Sequence, residues 1–384
     1  MKQSSRNPEE QLVHVDLGPR SYSIRICSEQ LPSISEAATD WLEARFGASS
    51  TGHSALVVTD RNVARHAAPV LSSLESGGWR TECVELEPGE PTKSLEVIST
   101  LYDHMVRMQA DRRTTVLAVG GGVIGDAAGF LASTYGRGVP FIQVPTTLLA
   151  DVDSSVGGKV GINHPSAKNL IGAFYQPLGV FIDTSVLNTL PDRDYRAGLA
   201  EVVKYGVILD DSFLAELEQN VEAINAREPS VLRRIIARCC RLKADVVEQD
   251  EQERTGVRAA LNYGHTFCHA FEALSGYGEL LHGEAVSIGM LYASRLAELH
   301  GLIDSQITLR QQKLLEQLHI PIRLPDTRQC PADAVLRKMR LDKKTVGGQL
   351  RFILPTRIGH VETVTDVREA DVRRVITEFE QPQH

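Results

Sequence analysis

Thr114-Thr115-Val116-Leu117-Ala118-Val119-Gly120-Gly121-Gly122-Val123-Ile124-Gly125-Asp126 decides the fold. A β-branched, apolar run predicts a buried strand, closed by three glycines, and Ala127–Ala132 predicts a helix directly after it. Glycines at that junction let the backbone approach a pyrophosphate, while a helix N-terminus supplies N–H donors and partial positive charge. Gly120, Gly122 and Gly125 fit GxGxxG, a pattern that a tight strand-to-helix turn also satisfies. The acidic residue usual about 20 positions downstream is missing. Asp60, closing the earlier run Ala55–Thr59, is the better ribose candidate. The stretch favours a nucleotide without being the standard dinucleotide fingerprint.

Outward from this turn, short apolar runs alternate with helical patterns. Glu82–Leu86, Phe141–Val144 and Val180–Ile182 predict strands, and Lys93–Met108 carries apolar residues at helical spacing. Such alternation predicts a mostly parallel sheet with helices on both faces. From about Asp192 onward, Leu199–Leu209, Phe213–Ile224, Ser230–Val247, Gly264–Leu274, Glu284–His300 and Ser305–Leu318 predict amphipathic helices. Arg351–Leu354 and Val361–Val364 predict a hairpin. The expected architecture is an α/β Rossmann-like nucleotide-binding domain over 1–187 and an all-α metal- and substrate-binding domain over 188–384. Asn188–Pro191 is the expected hinge, with a cleft between the domains.

Bulk composition narrows the class of function. The 384 residues are 42% apolar and 23% charged, enough for sizeable cores and unlike a disordered chain. A net charge of −8 leaves no global basic footprint for nucleic acid. No run approaches the roughly 20 apolar residues of a membrane helix, and Met1–Glu10 does not read as a signal peptide. Cys27, Cys83, Cys239, Cys240, Cys268 and Cys330 form no CxxC pair, so reduced thiols in a cytoplasmic protein are expected.

Two regions carry candidate chemistry. Between Arg137 and Asn169, Pro145-Thr146-Thr147 is followed by Asp151-Val152-Asp153-Ser154-Ser155-Val156-Gly157-Gly158-Lys159, then Asn163-His164-Pro165 and Lys168-Asn169. This predicts a long functional loop whose lysines and asparagine suit a phosphorylated substrate. Farther on, Glu201 and Lys204 lie one turn apart in an apolar helix, His265 and His269 are spaced i, i+4, and His282 precedes another apolar helix. Histidines and a glutamate on such helices predict a catalytic zinc site with an open position. By spacing alone His265 and His269 form the ligand pair, with His282 or Glu201 as the third.

GGGVIGDAAGF, RGVPFIQVPTTLLADVDSSVGGKVGIN, KNLIGAFYQP, LAEVVKYG, LNYGHTFCHAFE and LHGEAVSIGM together resemble the 3-dehydroquinate synthase family, over most of residues 12–360. The resemblance implies a dehydroquinate synthase-like fold, NAD, and Zn2+ or Co2+ on Glu201, His265 and His282, with His269 becoming an acid/base residue. Cofactor contacts are implied for Asp60, Asn62, Glu90, Lys93, Gly121, Gly122, Val123, Asp126, Thr146, Thr147, Lys168, Val186 and Thr189. Catalytic roles are implied for Asp153, Lys204, Glu253, Arg258, Asn262 and His269. Substrate contacts are implied for Lys159, Asn169, Lys243 and one of Lys343 and Lys344, and for Arg137 reaching across a homodimer interface. The chain departs from the family pattern in three places. The segment 253–258 is one residue longer than usual, and Cys268 and Cys27 stand where glycine is common.

The implied activity is a carbon–oxygen lyase of the shikimate pathway and aromatic amino acid biosynthesis. It would convert 3-deoxy-D-arabino-heptulosonate 7-phosphate to 3-dehydroquinate and phosphate. Another sugar-phosphate cyclase, a metal-dependent polyol dehydrogenase and a non-catalytic binding protein are the rivals. Paired cations at Arg258 and Lys243 argue for a substrate carboxylate, which neutral sugars lack.

Overall fold

The computed structural model describes residues 10–48, 52–276, 279–342 and 350–380. The chain forms two compact units, Met1–Leu190 with Pro229–Gln252, and Pro191–Glu228 with Glu253–His384. This division is more interleaved than a single cut between 187 and 188, because one helix returns to the first unit.

The first unit is built on strands β1 (Gln11–Val15), β2 (Tyr22–Cys27), β3 (Ser54–Asp60), β4 (Arg80–Leu86), β5 (Thr115–Gly120), β6 (Phe141–Pro145), β7 (Lys159–His164), β8 (Ala167–Phe174) and β9 (Gly179–Asp183). Seven of these form one sheet in the order β1-β2-β9-β6-β5-β3-β4. Every neighbouring pair is parallel except β1 with β2. Helices α1 (Ile34–Phe46), α2 (Ala64–Ser76), α3 (Leu95–Arg107) and α4 (Gly122–Thr134) link them. Strands covered on both faces must be apolar throughout, and β5 and β9 are buried at every position. Leu56, Val58, Val116 and Phe141 pack with Ile98, Leu101 and Met105 of α3 and Ile124, Ala127 and Leu131 of α4. The order reverses between β3 and β5. In doubly wound sheets, that switch point opens a ligand crevice at the carboxyl ends of the strands.

The region expected to be a long polar loop is instead structured. Ala150–Ser154 is a π-helical turn, and β7 and β8 pair antiparallel as a separate hairpin. Its strand signal is weak in the sequence because most of β8 is exposed, with no alternation of apolar residues. Its glycines mark close backbone approach: a Cβ on Gly161 would stand 2.9 Å from the Ile171 carbonyl oxygen.

Asp151, in the π turn, is fully buried, and neither carboxylate oxygen has a hydrogen-bond partner among the described residues. Burial, helped by the Asp183 charge, pushes its carboxyl well above the usual range. The folded state therefore binds this proton more tightly than the unfolded chain. The contribution is fully favourable below the unfolded pKa of about 4 and is lost as pH rises toward the folded value. Asp151→Asn removes that dependence. Its unfolding free energy relative to the parent is expected to rise as pH increases above about 4. Parallel urea titrations that differ by a constant at all pH values would refute this.

In chain order the remaining helices are α5 (Asp192–Leu209), α6 (Asp211–Gln219), α7 (Val221–Asn225), α8 (Pro229–Gln249), α9 (His265–Leu274), α10 (His282–Leu299), α11 (Ser305–Gln317), α12 (Ala332–Asp342) and α13 (Glu369–Glu380). α8 buries Leu232, Ile235, Ile236, Cys239 and Cys240 against β1, β2 and the π turn, which is why it belongs to the first unit. The single helix expected over Phe213–Ile224 is two, broken at Asn220. Likewise α5 begins at Asp192, a polar first turn before the apolar run.

In the second unit α10 is buried nearly all round and packs on α5, α9, α11, α13 and the hairpin of β10 (Phe352–Arg357) and β11 (His360–Val364). Glycines bring its neighbours unusually close. A Cβ on Gly283 would lie 1.8 Å from the Ala197 carbonyl oxygen of α5, and one on Gly289 would lie 2.4 Å from that of Gly264, just before α9. Backbone stands in both places, so larger residues cannot be absorbed by a side-chain rotation.

Candidate active site

In the first unit the sequence-derived residues gather at the carboxyl edge of the sheet. Asp60 ends β3, and its Oδ1 accepts from the Asn62 N–H at 2.8 Å. Gly121 and Gly122 open α4. A Cβ on Gly121 would stand 3.1 Å from Thr147 and one on Gly122 3.1 Å from Ser154, so glycine here lets the backbone pack against those side chains. Thr146 follows β6. It is 2% exposed, and its hydroxyl oxygen has no hydrogen-bond partner among the described residues. Val186 and Thr189 lie in the 3-10 turn after β9, where Thr189 Oγ1 meets His66 Nε2 at 2.8 Å. A half-buried glycine backbone at a helix N-terminus, with an orphaned buried hydroxyl and a terminal-strand carboxylate, fits a dinucleotide.

A polar network extends from this edge. Lys93, only 4% exposed, donates from Nζ to Asp126 Oδ2 at 2.7 Å and to Asn169 Oδ1, with Glu90 Oε1 at 3.7 Å. Asn163 closes it: its Nδ2 donates to Glu90 Oε1 at 2.8 Å, and its Oδ1 accepts from the Asn169 N–H at 2.8 Å. Burial raises the Asp126 carboxyl, and the Lys93 ammonium pulls it back. Lys243 of α8 donates to the carbonyl oxygen and Oδ1 of Asp153, at 2.6 and 2.7 Å. Arg137, Lys159 and Lys168 are exposed. Lys343 and Lys344 lie outside the described residues.

In the second unit α5, α9 and α10 present Glu201, His265 and His282 to one another. One ligand atom from each lies within 4.8 Å of the other two. His282 Nε2 stands 3.7 Å from Glu201 Oε1, and the His265 and His282 ring centroids are 5.3 Å apart. Glu201 is 1% exposed and pairs with Lys204 one turn on. His265 Nδ1 lies 3.1 Å from the Tyr263 carbonyl oxygen, which only accepts, so Nδ1 carries the hydrogen and Nε2 is left as a ligand atom. Burial, then the Lys204 charge, hold the His265 pKa well below its ordinary value, leaving the neutral ring that a metal requires. For His282 burial acts downward, but the hydrogen bond to Glu272 and the Glu201 charge outweigh it and raise the pKa. Two imidazoles and a carboxylate at this spacing fit a catalytic divalent cation with room for a substrate oxygen.

Spacing alone placed His269 in the ligand pair, and the geometry does not. Its ring packs edge-on against His265 at 5.6 Å, and no ligand group among the described residues includes it. A separation of i, i+4 puts both rings on one helix face, where they can share a metal, but does not by itself require that they do. Arg258, 2% exposed, lies 3.7 Å from Glu253, and Asn262 closes the same 3-10 turn. Sequence reasoning missed Glu272, whose Oε1 lies 3.4 Å from His282 Nδ1. The available signal was its position two turns beyond His265. It also left Asn163 without a role. Cys268 and Cys27, the two replacements of glycine, are both buried.

Models of known families match along the chain: the 3-dehydroquinate synthase N-terminal domain over residues 83–197 and the C-terminal domain over residues 198–345. The chain belongs to the 3-dehydroquinate synthase family. The 3-dehydroquinate synthase of Desulforamulus reducens is 49% identical over 367 residues, covering 95% of this chain and 99% of that protein. That of Geobacter metallireducens is 48% identical over 363 residues, covering 94% and 97%. Among solved structures, 2-epi-5-epi-valiolone synthase from Streptomyces hygroscopicus with NAD+ and Zn2+ bound superposes with a TM-score of 0.83 at 27% identity, covering 93% of this chain and 96% of that one. A 2-deoxy-scyllo-inosose synthase complexed with carbaglucose-6-phosphate, NAD+ and Co2+ also gives 0.83, at 26% identity, covering 96% and 100%. Glycerol dehydrogenase from Schizosaccharomyces pombe, at 18% identity and a TM-score of 0.61, shares the fold alone.

Proposed function

We propose that this chain converts 3-deoxy-D-arabino-heptulosonate 7-phosphate to 3-dehydroquinate and phosphate, a step toward aromatic amino acids. The observation that carries this reading is the convergence of Glu201, His265 and His282 in a family whose relatives bear that name. The reaction is redox-neutral overall: one phosphate leaves and one carbocycle closes. When bound, NAD supplies reversible hydride acceptance, and a divalent cation supplies Lewis acidity at the carbon-5 oxygen.

The protein's own groups hold and orient. Glu201, His265 and His282 hold the cation, and Lys204 balances the buried Glu201 carboxylate. Gly121, Gly122, Val123, Asp126, Thr146, Thr147, Lys168, Val186, Thr189, Asp60, Asn62, Glu90 and Lys93 form the cofactor's surroundings. Arg258 and Lys243 supply cations for the substrate carboxylate, and Lys159, Asn169, Arg137 and Lys343 or Lys344 serve the phosphate. Asp153 and Asn262 position hydroxyl groups, and Glu253 and His269, the latter exposed beside His265, handle protons at the substrate. Holding one conformer of a flexible chain, with charge at both ends neutralised, accounts for much of the rate.

We assign the protein to the cytoplasm, as a homodimer with Arg137 serving the neighbouring subunit. Free cysteines and the absence of any membrane-crossing helix among the described residues support the compartment. Arg137 is exposed, which leaves its guanidinium accessible to a partner. The test is phosphate release from the heptulosonate phosphate with Zn2+ and sub-stoichiometric NAD. Many equivalents of phosphate per NAD, with no net rise in NADH absorbance, are expected. Accumulating NADH would point to a dehydrogenase, and faster release from sedoheptulose 7-phosphate or glucose 6-phosphate to another cyclase.

A further inference from the structure

We infer that Glu272 is a positioning residue of the metal centre, fixing the tautomer and orientation of His282; this rests on reading Glu201, His265 and His282 as the ligands. Glu272 sits on α9 two turns beyond His265 and one turn beyond Cys268, on the helix face that carries both. Its Oε1 is 3.4 Å from His282 Nδ1. Because a carboxylate only accepts, Nδ1 carries the ring hydrogen, and Nε2 faces Glu201 Oε1 at 3.7 Å with its lone pair. The ring thus stands between two carboxylates with different tasks. Glu201 forms one candidate ligand group with both histidines, and Glu272 meets the ring on its Nδ1 side, where with Cys268 and His282 it forms a second group.

The two histidines are anchored unequally. His265 Nδ1 is held by the neutral Tyr263 carbonyl at 3.1 Å, and His282 Nδ1 by a charged carboxylate. A carboxylate behind an imidazole increases its basicity toward a cation and stops the ring from turning. Glu272 is itself held in place. Cys268, at the position where the family commonly has glycine, offers its thiol to Glu272 Oε2 at 3.6 Å. Glu272 side-chain exposure is 18%, so water competes little for the contact.

The experiment is zinc affinity by chelator competition, on the full chain and on Glu272→Gln, Glu272→Ala and Glu272→Asp. It is read together with the visible absorption of the Co2+ forms and the urea midpoint of the metal-free proteins. Glu272→Gln, nearly isosteric, is expected to weaken zinc binding by about 10–100-fold with a changed Co2+ spectrum, and Glu272→Asp to recover part of the loss. The metal-free midpoint should move little. Should Glu272→Ala not fold, Glu272→Gln carries the measurement. Affinity within about twofold of the parent in Glu272→Gln overturns the inference. So does a lowered metal-free midpoint with unchanged affinity, which would mark a purely structural contact. The readout does not depend on the substrate. Lost affinity in a protein that fails to release phosphate from the heptulosonate phosphate leaves this inference standing and removes the proposed function, and the converse pattern does the opposite.

Discussion

His265→Ala is expected to lose bound zinc and turnover together, with kcat/KM falling by about a thousandfold or more. Among the described residues Glu201, His265 and His282 converge as one ligand group, and removing His265 leaves two of its three donors. Lewis-acid stabilisation contributes several kcal/mol to the transition state, and each 1.36 kcal/mol is a factor of ten. His265 is also the ligand most fully prepared for binding: burial keeps it neutral, and the Tyr263 carbonyl turns Nε2 inward. His269→Ala is the informative companion. Its ring is 5.6 Å from His265 but outside the ligand group, so that variant should keep its zinc while losing rate. Metal analysis after desalting, with phosphate release on the same samples, checks both. Stoichiometric zinc and near-normal turnover in His265→Ala would sink the metal reading.

The second large effect is on stability. Lys204→Met is expected to cost the metal-free protein about 3–5 kcal/mol, since removing one member of a buried pair strands the other charge. Glu201 is 1% exposed and Lys204 2%, so water cannot take over. A divalent cation at the ligand trio would answer the stranded carboxylate. Most of the loss should therefore vanish when urea unfolding is repeated with Zn2+ rather than chelator. An equal loss under both conditions would show that no cation reaches Glu201.

Much of the first unit was legible because parallel strands buried on both faces must be continuously apolar. The runs at β3, β5, β6 and β9 accordingly announce themselves. The glycine turn after β5 was legible because consecutive glycines mark close approach, and a Cβ on Gly120, Gly121 or Gly122 would crowd Ile124, Thr147 or Ser154. The β7–β8 hairpin was not, because its outer face is solvated and its inner contacts are made by glycines and backbone. The break at Asn220 within one amphipathic pattern was also hidden, since two short helices can share one apolar face.

At the site, residue types were legible and partnerships were not. The chain by itself determined that histidines, a glutamate and lysines stand on apolar helices, which are expensive places to leave polar groups unpartnered. That, with long family motifs, was enough to reach the class of cofactor. Which side chains converge was decided only by tertiary packing. Gly283 and Gly289 let α10 approach α5 and the start of α9 at backbone contact distance, and this closeness sets His282 rather than His269 beside Glu201. The same approach puts Glu272 behind His282. Helical spacing specifies a direction for each side chain, but distances between helices depend on which residues lack a Cβ where their backbones meet.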